Sequence, residues 1–319
     1  MSASEQRAGV LAVVSAYSVW GVTPIYYKWV EFAGPLEVSA HRIVWALLIL
    51  MGLVALRRQW RGVRALSATE LGWLVVSGAL LFTNWLVFVW ALQNGRIVET
   101  SLGYYINPLI TVALGVVFLG ERLRWPQTVA LVLAGAGVVN EVVAFGALPW
   151  AGLTLAITFG FYGLVRKRIR IDSAVGLGVE TGLALPVALA YLAWQAARSE
   201  GSMIAGLGGE VALLAFGGLV TVIPLVLFAA AANRLSLVVI GFFQFLAPTL
   251  TLLVAAFYYR QPIADGQWLT FGCIWAALGT LSAESLHQGW RLRRHLVRLS
   301  EPSAGERAGP PPPRGQAKA

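Results

Sequence analysis

The sequence predicts an all-α membrane protein, and three observations predict it. Of its 319 residues 58% are hydrophobic and only 12% are charged, against about 25% charged in an ordinary soluble domain. A soluble chain this apolar could not clothe its own surface, so lipid is the default solvent. The apolar residues gather into ten segments, roughly 9–29, 36–56, 70–93, 97–119, 125–144, 149–166, 175–196, 210–232, 236–259 and 266–286. Each can cross a hydrocarbon core of ~30 Å, the shorter ones with little tilt. Finally, one proline-broken apolar stretch occurs twice, 140 residues apart.

The first copy is ETSLGYYINPLITVALGVVFLGERL (99–123), broken at Asn107-Pro108 and closed by charge at both ends. Its echo is VIGFFQFLAPTLTLLVAAFYYRQP (239–262), in which Pro248 answers Pro108 and Thr251 answers Thr111. Tyr104-Tyr105 resembles Phe242-Phe243 after a two-residue slip. At an offset of 139, Trp20-Gly21 meets Phe159-Gly160, Lys28 meets Lys167, Ala91 meets Ala230 and Asn94 meets Asn233. Each half therefore holds five spans. An odd number per repeat inserts the second half upside down relative to the first. Inverted repeats of this kind imply a pseudo-two-fold axis in the membrane plane and a solute site at the repeat interface.

Lys and Arg set the expected orientation. With the N-terminus inside, Arg7, Arg57, Arg58, Arg61, Arg64, Arg122, Arg124, Arg166, Lys167, Arg168, Arg170 and Arg234 face the cytoplasm. Only Lys28, Arg96, Arg198 and Arg260 face out, so the positive-inside rule places both termini in the cytoplasm. The net charge of +9 is explained by these loops and the tail, and does not indicate nucleic acid. Thirteen Trp suit the headgroup interface. The N-terminal apolar run holds Tyr17, Trp20 and Thr23 without a small-residue cleavage site, and is expected to be a retained first span. The lone Cys273 offers neither a disulfide framework nor a thiolate metal cluster.

The expected divisions are a cytoplasmic N-tail over 1–8, a first repeat over 9–144, a second over 149–286 and a basic, Pro-rich cytoplasmic tail over 287–319. That tail has too few apolar residues to bury a core.

Several polar groups fall within or beside the apolar segments. Pro108 and Pro248 free the carbonyls of Tyr104 and Gln244, which then need a partner from protein, water or solute. Packing kinks are the plain alternative, and two matched prolines flanked by aromatics and by Asn107 and Gln244 put a cavity wall on an even footing with it. His41 pairs with Glu180 across the repeat, one near each membrane face. With Arg42 they are candidates for gating or proton coupling, or else helix-end residues snorkelling to the headgroups. Glu99, with Asn84 and Asn94 on the preceding span, is either a group at the outer mouth or the ion-pair partner of Arg96. Glu121 and Arg122 lie ~33 Å of helix rise away and serve as an inner anchor. Ala130 and Ala134, and Gly272, Ala276 and Thr280, are small-residue stripes that suit an intramolecular seam or a homodimer face.

Enzyme signatures are absent: no HExxH, no G-x-S-x-G, no intramembrane Asp pair and no phosphate-binding glycine loop. No metal or cofactor is expected, and any energy coupling would come from gradients.

AYSVWGVTPIYYK (16–28), AHRIVWALL (40–48), NWLVFVWALQN (84–94), residues 99–123, FGFYGLVRK (159–167), VET (179–181) and GFFQFLAPTL (241–250) together carry a family resemblance. Over about residues 9–286 the chain resembles the EamA-type members of the drug/metabolite transporter superfamily, and within them the RarD subgroup of chloramphenicol-sensitivity permease-like proteins. The resemblance implies a ten-helix inner-membrane permease of two inverted EamA repeats that exports small metabolites or drugs by alternating access. By position, the family-like residues are Trp20, His41, Arg42, Asn84, Glu99, Asn107, Pro108, Glu180, Gln244 and Pro248; Tyr104 joins them on the expected solute pathway. Implied partners are a small-molecule substrate, a proton as candidate coupling ion, and the bilayer. One departure stands out: the Gly120-Glu121 that ends the fourth span is answered by Arg260-Gln261. The alternative from another class is a non-transporting assembly or sensor partner that uses the same bundle without a wet cavity.

Overall fold

The computed structural model describes residues 3–169, 171–198, 208–260, 266–280 and 283. Arg170, Gln261 and the expected tail over 287–319 lie outside the described residues.

The described residues fold almost entirely into helices, and local signals explain most helix ends. α1 spans Ala3–Trp29 and carries Pro24 within it. It starts six residues before the expected apolar segment, because Ala3 to Arg7 suit a helix although they are too polar for hydrocarbon. α2 (Pro35–Leu56) begins on Gly34 with Pro35 at its first position, where a missing N–H costs nothing. Arg58, in the left-handed region at φ 54°, turns the chain into a one-turn helix at Trp60–Arg64. α3 (Ala68–Gln93) opens with a capping box, the Ser67 N–H donating to Glu70 at 2.8 Å and the Glu70 N–H donating to Ser67 Oγ at 3.2 Å.

α4 (Ile97–Leu119) runs unbroken through Pro108 and ends on Gly120 at φ 65°. α5 (Trp125–Phe145) ends on Gly146 at φ 73°. Both are left-handed caps that glycine adopts freely. α6 covers Trp150–Arg168. α7 (Ser173–Ala197) is capped by Asp172, which accepts from the N–H groups of Ala174 and Val175. α8 spans Gly208–Ala232. α9 (Leu237–Tyr258) is capped by Ser236, breaks between Gln244 and Leu246, and finishes in a π-helical turn at Val254–Tyr258. The break falls where Pro248 withholds an N–H from the Gln244 carbonyl and crowds the preceding turn. α10 covers 266–280.

Eight of these helices are long and apolar enough to cross a membrane: α1 to α5 and α7 to α9. α6 carries Arg166, Lys167 and Arg168 in its last turn. Exposed tryptophans at helix ends, among them Trp29, Trp125, Trp150 and Trp194, suit an interfacial belt. One end of the bundle holds Trp29 and the starts of α2 and α4; the other holds Arg57 and the starts of α1 and α3.

Close backbone crossings fix the assembly. α4 lies against α6 where Gly103 meets Gly152, and a methyl on Gly152 would enter the Glu99 carbonyl. Gly160 of α6 sits against Ile110 and Leu114 of α4, while Gly21 of α1 sits against Leu250 of α9. α2 packs on α7 and α8, α3 on α6 and α7, and α1 on α8 and α9. Ala130 and Ala134 are fully buried, and Gly137 on the same helix abuts Thr270 of α10, so this α5 stripe is an intramolecular seam. Gly272 and Ala276 of α10 face outward.

Candidate functional site: an interior recess above a sealed floor

Arg42 lies seven residues into α2 from the Trp29 end, ~10 Å of helix rise. Its Nε donates to Thr221 Oγ1 of α8 at 2.8 Å, and Nη1 donates to the Tyr27 hydroxyl of α1 at 2.6 Å. The Tyr27 and Trp85 rings lie 5.6 and 5.9 Å from its guanidinium carbon, within cation–π range. Tyr104 stands seven residues into α4 from the same end. It is 52% exposed. Arg42, Tyr27 and the exposed Tyr104, near the Trp29 end of α2, α1 and α4, make the candidate recess.

Below the recess lies an aromatic cluster drawn from both halves of the chain. Trp20 meets Phe159 edge-on at 5.7 Å, and Phe228 touches Tyr17, Trp20, Phe159 and Tyr162 at 5.2 to 6.4 Å. Edge-on and offset ring pairs are the favoured geometries. Beside Tyr17 lies Gln244, at the break in α9. The Tyr17 hydroxyl and the Gln244 amide, both buried, lie against one another and have no other hydrogen-bond partner among the described residues.

Closer to the Arg57 end, Glu180 of α7 is sealed from solvent. Its Oε1 accepts from Ser77 Oγ of α3 at 2.5 Å and from Arg166 Nη1 of α6 at 3.3 Å. Its Oε2 accepts from the Tyr162 hydroxyl at 3.4 Å. Arg166 is 1% exposed, and a methyl on Gly176 would collide with its guanidinium, so the glycine makes room for the charge. The expectation that Arg166 is a cytoplasmic-face cation is therefore corrected. A buried carboxylate in an apolar bundle needs a counter-charge, and Arg166 supplies it because Tyr162 and Arg166, one turn apart, share a helix face. That spacing, together with an intramembrane Glu180 in want of a cation, was the signal available in the sequence. Tyr27, Thr221, Ser77 and Tyr17 carried no such signal.

The other expected residues are spread around this axis. His41 is buried, and its Nε2 has no partner among the described residues. One turn before it, the buried Glu37 accepts from Gln195 Nε2 at 3.1 Å. Asn84 does not reach the recess group through any described bond; its amide ties α3 to α6 by donating to the Leu155 carbonyl (2.8 Å) and Thr158 Oγ1 (2.9 Å). Glu99 pairs with Arg96 at 2.8 Å and accepts the Ala151 N–H at 3.2 Å, capping α6. Arg96 in turn lies 5.5 Å from the Trp90 and Trp150 rings. Glu121, at the opposite end of α4, accepts the N–H groups of Leu237 and Val238 at 2.8 Å each and so caps α9. Pro108 and Pro248 are both buried, and Asn107 is half-buried with a long 3.5 Å bond from Thr111.

Comparison with known proteins fits this architecture. Residues 7–140 match the model of the EamA-like transporter family. An uncharacterised transporter of Vibrio cholerae is 41% identical over 292 residues, 91% of this chain and 97% of that relative. Protein RarD of Escherichia coli is 40% identical over 90% of this chain and 98% of its own length. Chloramphenicol-sensitive protein RarD of Pseudomonas aeruginosa is 31% identical over 90% of this chain and 95% of its own. A solved crystal structure superposes with a TM-score of 0.65 at 18% identity, covering 86% of this chain and 97% of that one, a likeness of fold. With such relatives along nearly its whole length, the chain belongs to the EamA-like transporter family, in its RarD subgroup, as a multi-pass membrane transporter.

Proposed function

We propose that the protein is a secondary carrier that moves a small solute out across the bilayer by alternating access, as an exporter, and that the recess beside Arg42 is its outward-open solute site. The observation that carries this is the asymmetry along the bundle axis. The recess is open at Tyr104, whereas the path beyond it is closed by the Trp20–Phe159–Phe228 cluster and by the buried Arg166–Glu180 group. A bundle that only scaffolded other proteins would have no need of an open polar recess ending on a sealed floor.

In this account ten helices form two inverted five-helix repeats, α1–α5 and α6–α10, with both termini cytoplasmic. Paired contacts support the symmetry. Gly21 packs on Leu250 as Gly160 packs on Ile110, and each partner is offset by 139 or 140 residues. Trp20 and Phe159, themselves 139 apart, touch one another, as residues beside a two-fold axis must. Gly120 and Arg260 occupy matching left-handed positions at φ 65° and 52°. Arg57, Arg58, Arg61 and Arg64 make the Arg57 end cytoplasmic by the positive-inside rule. The Glu180 group then locks the cytoplasmic half shut in the present state, with Gln244 and Tyr17 at the point where the path would open. A proton is the candidate coupling ion.

Reconstitution tests the proposal. Purified protein in liposomes, offered a mixture of metabolites and antibiotics with and without a pH gradient, should accumulate one solute class, read by mass spectrometry. Folded, correctly inserted protein that accumulates nothing above empty liposomes would overturn it.

A further inference from the structure

The two arginines that reach into the bundle are supported in opposite ways. Tyr27 and Arg166 occupy corresponding positions of the two repeats, 139 residues apart, and His41-Arg42 corresponds to Glu180-Thr181. In the second repeat the arginine stands on the first helix of the pair and meets its carboxylate, Glu180, on the next. In the first repeat the arginine stands on the second helix instead, facing Tyr27. There the carboxylate is missing. Among the described residues Arg42 pairs with no acidic group. Of the carboxylates at this end, Glu31 pairs with Lys28, Glu99 with Arg96 and the Ala151 N–H, Glu37 accepts from Gln195 and Glu141 from Thr270, and Glu210 at the start of α8 forms no ion pair with Arg42 among the described residues.

The donor geometry says what would complete the site. A guanidinium carries five N–H donors and no acceptor. The described bonds of Arg42 use one on Nε and one on Nη1, leaving Nη2 without a bond among the described residues. The Tyr27 hydroxyl accepts from Arg42, which leaves its own proton to donate. The Thr221 hydroxyl is already spent, since it accepts from Arg42 and donates to the Gly217 carbonyl at 2.8 Å. Tyr104, 52% exposed, offers a second phenol at a matching depth, seven residues into α4 as Arg42 is seven residues into α2. Two phenols and a free guanidinium edge, with the Tyr27 and Trp85 rings around the cation, form a donor-rich pocket walled by aromatics. An unpaired cation within a membrane span is costly, and a planar oxyanion satisfies a guanidinium fork best.

We propose that Arg42, with Tyr27 and Tyr104, is the reader of a carboxylate on the transported solute. The solute is thus a small organic monoanion whose apolar, aromatic-compatible body lies against Trp85 and Tyr27. Arg42 supplies the counter-charge that Glu180 receives internally from Arg166, so the anion takes the place of a missing residue. Its role in transport rests on the carrier function proposed above, whereas binding can be tested without it.

The probes are benzoate, phenylacetate and indole-3-acetate, each paired with its primary amide, offered to the full-length protein in detergent and followed by calorimetry and thermal shift. The carboxylates should bind and raise the melting temperature, while the amides bind roughly 10- to 100-fold more weakly, the range for hydrogen bonds to a charged group. Arg42→Gln should abolish that preference. Tyr27→Phe provides a second test that leaves the buried charge in place: it removes one donor and should weaken the acids without strengthening the amides. Equal binding of acid and amide, a preference unchanged in Arg42→Gln, or no binding by any of the acids overturns the inference. Carboxylate binding by protein that moves nothing in liposomes would keep the inference and remove the carrier function. Gradient-driven accumulation of neutral solutes that is indifferent to Arg42→Gln would do the reverse.

Discussion

Arg166 Nη1 lies 3.3 Å from Glu180 Oε1, and the two side chains are 1% and 0% exposed. They join α6 to α7, and Ser77 brings in α3. Removing one partner of such a pair strands a buried charge, which costs about 3–5 kcal/mol, whereas replacing both by apolar residues of similar volume is often nearly neutral. Arg166→Met and Glu180→Leu should each lower the unfolding temperature sharply, and the double variant should recover most of the loss. A thermal-unfolding double-mutant cycle in detergent checks this; simple additivity would mean that the pair is not coupled.

Glu121 holds two backbone donors at the start of α9, Leu237 N–H and Val238 N–H. Losing a helix N-cap carboxylate costs typically ~1 kcal/mol and up to about 2. Glu121→Ala should therefore lose that much stability, and hydrogen exchange should quicken at the first turn of α9 while the middle of α7 is unaffected. Unchanged exchange at residues 237–239 would remove Glu121 from the capping role.

The Gly103–Gly152 crossing leaves no room for a methyl group, because a Cβ on Gly152 would overlap the Glu99 carbonyl and the Gly103 backbone. Gly152→Ala should destabilise by about 1–3 kcal/mol, as overpacking does. Gly272→Ala, at a position with open space around it, should be neutral or slightly stabilising, since alanine favours a helix by up to about 1 kcal/mol over glycine. Melting temperatures of the two variants measured side by side decide the matter.

The sequence made the helical membrane class legible because hydropathy reports directly on the solvent a helix prefers. The crossing helices α1 to α5 and α7 to α9 lie where apolar segments were expected. The α1 start was misplaced, because hydropathy marks where lipid begins rather than where a helix does. Side-chain partners were much less legible. Positive-inside counting treats every arginine near a helix end alike, so Arg166 looked like Arg168, although two residues' difference turns one inward and leaves the other donating to the Phe118 carbonyl. Glu99 carried two open roles, and only the approach of Ala151, 52 residues away, gives its second oxygen a capping task. Tyr27 and Thr221 came to notice only through Arg42, since nothing local to either residue says that three different helices meet there.

Labelling of one engineered cysteine tests the central claim, an interior recess open toward the Trp29 end, most directly. Cys273 is first replaced by Ser, and cysteine is introduced at Tyr104 in one variant and at Glu180 in another, in sealed cells. A membrane-impermeant thiol reagent added outside should modify position 104 rapidly and leave position 180 untouched, because Tyr104 is 52% exposed and Glu180 only 3%. Position 104 as inert as position 180 in well-folded, correctly inserted protein would contradict the recess and, with it, the pathway built upon it.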